Sequence, residues 1–342
     1  LWGIRETVNM KFSIIVPVFK REDEVTELLE SLTAQNFSDF EVIISDGSPD
    51  DSLRRVVDQY REALKLNYIY FKGYNASESR NAGCKQAKGE FLFFFDSDCI
   101  IPEDYFSKVC SFLSQTPLDA FGGPDAAKDD FNNTMKGINY AMTSLFTTGG
   151  IRGKKRHVGK FLMRGFNMAV KKEVFYEVGG FSGMDVAEDI ELSVRINKAG
   201  YKSGLIPDAF VFHKRKSNFR KFFNQLKMHG KGRIDLFFRH RNQLKLIHFF
   251  PSLFLAYLIF LLSLFFFNYN LFLIGALPVG FYLILIFIDA SLKYKSVFPA
   301  FYSVAASFIM LNAYGLGLIQ NGLSRMIAGK NQETEKLEEL KN

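Results

Sequence analysis

The chain has 342 residues, a formal charge of +7 and a mean hydropathy of zero. That average conceals two unlike parts, because residues up to 212 mix apolar and charged side chains while 246–320 are nearly free of charge. The second part is expected to meet a membrane, and the spacing of Cys84, Cys99 and Cys110 fits neither a zinc site nor a disulfide framework.

Residues 1–9 read as an upstream extension or an added segment, with Met10 as a natural start. No cleavable signal is expected, since 12–19 is a short strand-like run that ends in charge. Strands are expected at 12–16, 41–45, 68–71 and 91–95, and helices at 22–34, 51–64, 77–87 and 102–114. Strands alternating with helices imply a parallel sheet covered on both faces. The run 91–95 is apolar at every position, as a central strand buried on both sides requires. Further on, 166–170 reads as a strand and 188–199 as a helix, with closing strands at 201–205 and 209–212.

Between residues 214 and 245 stand eleven Lys or Arg and a single acid, Asp235. This block directly precedes apolar segments, so a membrane surface is the expected partner and nucleic acid is not. Its interleaved phenylalanines suit amphipathic helices at the interface. Apolar stretches at 246–267, 271–288 and 297–319 are the candidate spans; the second is short for a helix that needs about 20 residues. Three spans would put the charged tail, 321–342, on the far side of the membrane.

Asp46 closes one expected strand, and Asp96 and Asp98 close another. Ligands bind beyond the carboxyl ends of parallel strands, so two acid sites fall on one edge. If the strand continues through Asp96-Ser97-Asp98, both carboxylates leave on one face, and a divalent cation would relieve their repulsion. Mg²⁺ or Mn²⁺ is the expected ion, because hard cations take carboxylates and phosphates together. A polar turn is the alternative for this tripeptide alone. Ser48 and Asp51 suit helix capping, which does not explain Asp46. Glu188-Asp189 opens a helix and offers either a cap or a general base.

These pieces together resemble the family 2 glycosyltransferases, which have the GT-A fold. The likeness covers 11–213 in the family's motif order: Ser13-Ile14-Ile15-Val16-Pro17-Val18-Phe19, Asp46-Gly47-Ser48, Ser79-Arg80-Asn81-Ala82-Gly83, Asp96-Ser97-Asp98, Gly165-Phe166-Asn167-Met168-Ala169, Val178-Gly179-Gly180-Phe181 and Glu188-Asp189. The resemblance implies an α/β, Rossmann-like mixed-sheet catalytic domain over 10–213, followed by interfacial helices over 214–245 and membrane helices over 246–320. It implies that Pro17, Phe19, Asp46, Arg80, Asp96 and Ser97 bind a nucleotide-sugar donor. Asp98, with Asp96 and His213, would hold the metal. Asp189 would be the base, supported by Glu188, and Gly165 and Asn167 would meet the acceptor.

The implied activity is transfer of a single sugar, with inversion, from a donor expected to be a UDP-sugar to a lipid-linked or glycan acceptor in cell-surface polysaccharide or glycoconjugate synthesis. The implied location is the inner (plasma) membrane, multi-pass, with the catalytic domain cytoplasmic. Processive synthases of the family carry Gln-x-x-Arg-Trp before their spans; here the stretch is Gln225-Leu226-Lys227-Met228-His229, which argues against a polymer-extruding enzyme. The rivals are a synthase that loads sugar onto polyprenyl phosphate, a nucleotidyltransferase that releases pyrophosphate, and a non-catalytic membrane scaffold.

Overall fold

A computed structural model describes residues 12–126, 131–148, 161–214 and 218–339. The extension at 1–9, Met10, residues 215–217 of the basic block and the side chains of the charged tail from 329 onward lie outside the described residues. In chain order come β1 (Phe12–Val18), α1 (Glu22–Thr33), β2 (Phe40–Asp46), α2 (Arg54–Asp58), β3 (Leu66–Tyr70), α3 (Ala76–Gln86), β4 (Phe91–Phe95), β5 (Cys99–Ile100), α4 (Tyr105–Gln115), β6 (Ala120–Gly122) and β7 (Asp125–Ala126). Next are α5 (Asn133–Thr143), α6 (Leu145–Thr148), β8 (Asn167–Lys171), α7 (Lys172–Glu177), α8 (Glu188–Lys198), β9 (Ser203–Leu205) and β10 (Val211–His213). Four long helices follow: α9 (Phe219–Arg239), α10 (Phe250–Phe267), α11 (Tyr269–Tyr294) and α12 (Val297–Glu339).

The chain divides into two units. The first holds the strands. The second holds α9–α12 together with α5 and α6, so the segment read from sequence as one continuous domain over 10–213 is interrupted by two helices that belong with the apolar ones.

In the first unit the main sheet has the order β3-β2-β1-β4-β8-β6-β9. β1, β2, β3 and β4 are parallel, and β8 runs antiparallel between β4 and β6. All five residues of β4 are buried. Phe91, Phe93 and Phe95 enter one core with Ile14 and Val16, while Leu92 and Phe94 enter the other with Ile15. This period-two split between two apolar layers is what a sheet covered on both faces demands. A small second sheet, β5-β10-β7, stands at the carboxyl edge.

Two expected helices differ in extent. The stretch 51–64 forms only the short α2 and then turns, because the amides that follow it mostly reach three residues back, as in Gln59 N–H to Val56 O and Tyr60 N–H to Val57 O. Such bonds build tight turns rather than α-helix. Pro102 precedes α4 in a turn closed by Tyr105 N–H.

In the second unit, Leu246–Phe267, Tyr269–Tyr294 and Val297–Ala328 are long and apolar enough to cross a membrane. The middle helix is longer than the 271–288 expected from sequence. Asn268 caps it through Leu271 N–H, and it continues past Asp289, whose carboxylate accepts a 2.6 Å hydrogen bond from Tyr140.

Candidate active site

The carboxyl ends of β1, β2 and β4 converge on one edge of the sheet, since β1 pairs in register with both neighbours. Asp46, the last residue of β2, is buried. One of its oxygens accepts from Ser48 N–H at 2.9 Å and the other from Tyr68 at 2.7 Å. Gly47 is needed here because a Cβ would collide with the carbonyl of Tyr74. Ser48 in turn accepts from the amide of Lys20, which tethers the loop after Phe19. Phe19 is exposed, and Pro17 lies in β1 opposite Ser45.

Past β4 the chain does not continue as a strand. Cys99 N–H donates to Asp96 O at 3.1 Å, closing a turn around Ser97 and Asp98. The two carboxylates therefore take separate partners rather than sharing one face as the extended geometry would require. Asp96 accepts from Arg80 at 2.8 Å. Asp98 pairs with Arg21 at 2.6 Å, and its other oxygen lies 3.1 Å from His213 Nε2. Cations on each carboxylate relieve the repulsion between them.

His213 is brought there by β10, which pairs antiparallel with β5 and sets His213 opposite Cys99. Its ring stacks on Phe166 at 4.8 Å, and its Nδ1 lies 3.9 Å from Asp125. Among the described residues, Asp98, Cys99 and His213 can each bring one ligand atom within 4.8 Å of the others. Burial pushes the Cys99 thiol well above its ordinary range, and hard cations favour oxygen and nitrogen donors over sulfur. The usable donors are one carboxylate and one imidazole. That oxygen and nitrogen pair fits Mn²⁺, and fits Mg²⁺ if phosphates complete the shell.

The second half of the site comes from β8 and α8. Asp189 stands in the first turn of α8, where the dipole favours negative charge. It accepts from Ile190 N–H at 2.7 Å and from Gly165 N–H at 2.9 Å, which fixes its rotamer. Ala187, just before the helix, holds φ at +65°, a left-handed value that a Cβ disfavours. Glu188 accepts from Arg80 at 2.6 Å. Burial pushes the Glu188 carboxyl up, and the Arg80 guanidinium pulls it back.

Arg80 is the hub. It lies buried on α3, bridges Asp96 to Glu188, and stacks over Phe181 at 5.4 Å. Asn81 holds Phe181 by bonds to both its N–H and its C=O. Gly179 and Gly180, at φ +83° and +63°, make the left-handed turn that delivers this ring. The two ends of the Arg80 fork are engaged by these two carboxylates. Gly165 packs so closely that a Cβ would stand 3.0 Å from Arg80 Nη2 and 3.7 Å from Asp189 Cβ. Gly165→Ala is expected to lower kcat roughly ten- to a hundredfold by displacing these two side chains, with the folded secondary structure unchanged by circular dichroism.

Asn167 is held in the core. It is fully buried, accepts from Tyr105 at 2.5 Å, and donates to Ala209 O at 2.9 Å. These bonds tie the end of β8 to α4 and to the segment before β10. Asn167→Ala is expected to cost about 2–3 kcal/mol through the buried partners it orphans, read as a lower thermal midpoint with the acceptor KM unchanged.

Sequence reading missed Arg21, Tyr68 and Asp125. Arg21 follows the end of β1 by three residues, so its place on the shared edge was readable; Tyr68 and Asp125 depend on strand pairing.

Comparison with known proteins bears on the family and the fold. Residues 13–179 match the glycosyl transferase family 2 profile. Poly(ribitol-phosphate) beta-N-acetylglucosaminyltransferase TarS of Staphylococcus aureus is 36% identical over 114 residues, 32% of this chain and 20% of TarS. An uncharacterized glycosyltransferase of Haemophilus influenzae is 37% identical over 177 residues, 50% of this chain and 56% of that one. The matched segment thus spans a fifth of the first relative and about half of the second. Mannosyltransferase PcManGT from Pyrobaculum calidifontis, solved with GDP-Man and Mn²⁺, superposes with a TM-score of 0.56 over 91% of this chain and 87% of that one, at 17% identity, which bears on fold alone. With its mixed sheet and the profile match over β1 to α7, residues 13–179 belong to the glycosyl transferase family 2, and the fold is GT-A.

Proposed function

We propose that this chain transfers a single sugar, with inversion, from a nucleotide-sugar to a membrane-associated acceptor. The observation that carries the reading is the Arg80 bridge, which ties Asp96 after β4 to Glu188 beside Asp189. Through it a donor-side acid and a base-bearing helix share one rigid frame.

Asp189 takes the proton of the acceptor hydroxyl. The freed oxygen attacks the anomeric carbon from the face opposite the diphosphate, whose bond to that carbon breaks with its electron pair leaving on phosphate. No covalent enzyme intermediate forms. Gly165 N–H and the first turn of α8 hold the Asp189 carboxylate in place before and after it takes the proton. Glu188 keeps Arg80 in position, and Arg80 keeps Asp96. Asp46 and Ser48 shape the nucleotide end of the edge with the Pro17–Phe19 stretch. Arg21 supplies a cation beside Asp98. Asp98 and His213 would hold Mg²⁺ or Mn²⁺, which when bound neutralises charge on the leaving diphosphate.

A UDP-sugar donor and a lipid-linked acceptor in cell-surface polymer synthesis are the preferred substrates. TarS, named for poly(ribitol-phosphate), and GgaB of Bacillus subtilis, a minor teichoic acid biosynthesis protein that is 25% identical over 261 residues, support that class. The apolar helices and the cationic block before them support a multi-pass protein of the inner membrane with its catalytic unit cytoplasmic. The test is a screen of nucleotide sugars with Mg²⁺ or Mn²⁺, offered lipid-linked glycan and polyprenyl phosphate in separate arms. Nucleoside diphosphate release and an inverted product on the glycan support the proposal. Pyrophosphate release, a retained anomer, or transfer to polyprenyl phosphate alone overturns it.

A further inference from the structure

Of the three helices apolar enough to span, α12 differs in its packing. About half of its span-length window is buried, against 6% for each of the others. α10 and α11 form an antiparallel hairpin. Phe265 packs on Phe272 at 5.2 Å, Tyr257 donates to Gly275 O at 2.8 Å, and Phe254 packs on Tyr282 at 6.3 Å. Continuing that register, Phe287 stands level with the first residues of α10, at the base of the hairpin.

α12 meets this base at several points, with Phe308 also packing on Phe254 at 6.1 Å. Phe301, near its start, packs on Phe287 at 4.9 Å. Further along, Gly315 O accepts from Ser252 Oγ at 3.2 Å, and a Cβ on Gly315 would lie 2.6 Å from Pro251 O. From Phe301 to Gly315 an α-helix advances about 21 Å. In a third span beside α10, Gly315 would have climbed to about the level of Ser263. Instead it touches the first turn of α10, so α12 lies across the base of the hairpin and not along it.

The partner of α12 agrees. α9 runs beside it in the same direction: Phe219 meets Tyr302 at 6.1 Å, Asn321 donates to Lys231 O at 2.8 Å, and Arg325 pairs with Asp235 at 2.7 Å. Gly230 and Gly317 let the two backbones touch, at Tyr314 O and Lys227 O. α9 exposes Arg220, Lys221 and Arg239 and half-buries Lys227, Lys231 and Arg233. A helix with that many cations does not enter hydrocarbon, and α12 cannot cross without carrying it along.

We infer that only α10 and α11 cross the membrane, while α9 and α12 form a paired platform on its surface, facing anionic lipid headgroups. The chain then crosses twice, and residues after α12 return to the side on which residue 214 lies, contrary to the three-span expectation. α5 joins the platform, since Gly137 packs against the backbone of Tyr302. This inference is independent of the sugar-transfer reading.

The test labels single thiols in the full chain, in sealed vesicles of known orientation, with a membrane-impermeant maleimide. Cys84 and Cys99 are buried, so a Cys110→Ser background suffices. Ser114→Cys on α4, Asn270→Cys at the hairpin tip and Ser324→Cys on α12 are all exposed positions, and each is confirmed reactive in detergent. The expected result is that Ser324→Cys and Ser114→Cys label from one face and Asn270→Cys from the other. Labelling of Ser324→Cys from the face that labels Asn270→Cys overturns the inference, as does labelling of all three from one face.

Discussion

Asp189→Asn is expected to lower kcat about 10²–10⁴-fold, the range that a general base contributes, while the donor KM stays near its original value. An amide keeps the size of the carboxylate, and its oxygen can still accept from Gly165 N–H or Ile190 N–H, so the fold and the loop before β8 are retained. What is lost is a group able to take the acceptor proton. Steady-state kinetics, with circular dichroism as the folding control, checks this. A folded Asp189→Asn protein with near-original turnover would remove Asp189 from the mechanism.

The second large effect falls on stability. Arg80→Leu should cost about 3 kcal/mol, at the low end for breaking a buried ion pair because Asp96 keeps a third of its side chain in solvent. Glu188 bears most of the loss, since only 14% of its side chain is exposed. Arg80→Lys should recover part of it, as an ammonium keeps the charge but lacks the fork that reaches both acids.

The loss should also depend on pH. Burial already raises the Glu188 carboxyl, and without the guanidinium it rises further. A carboxyl raised in the folded state favours folding below its unfolded value and loses that contribution as pH climbs through the folded value. The Arg80→Leu penalty should therefore be larger at about pH 8 than at about pH 5, where protonation removes the uncompensated charge. Thermal melts of the detergent-solubilised protein at the two pH values measure it. A penalty that does not change with pH would show that Glu188 is not the group Arg80 compensates.

The first unit was largely legible because its signals are local. A strand buried on both sides must be apolar throughout, and 91–95 matches β4 residue for residue. Acids at or just past the ends of such strands land on the carboxyl edge, so Asp46, Asp96 and Asp98 could be named without a structure. α8 announced itself by acids in its first turn and apolar residues on one face.

Pairing between distant segments was not legible. Arg80 and Glu188 are 108 residues apart, and nothing in either neighbourhood identifies the other as its partner. Asn167 sits in a motif that suggests ligand contact, yet the antiparallel register of β8 against β4 turns it toward Tyr105 and Ala209. His213 reaches Asp98 only because β10 pairs with β5. Hydropathy likewise identified three helices that could span, but whether a helix crosses a bilayer or lies along it depends on what packs against it. Composition and periodicity thus determined which segments are strand, helix and apolar, and which acids stand at the sheet edge. Strand order, register and the partner of each helix decided what those groups touch, because those are properties of segments far apart in the chain.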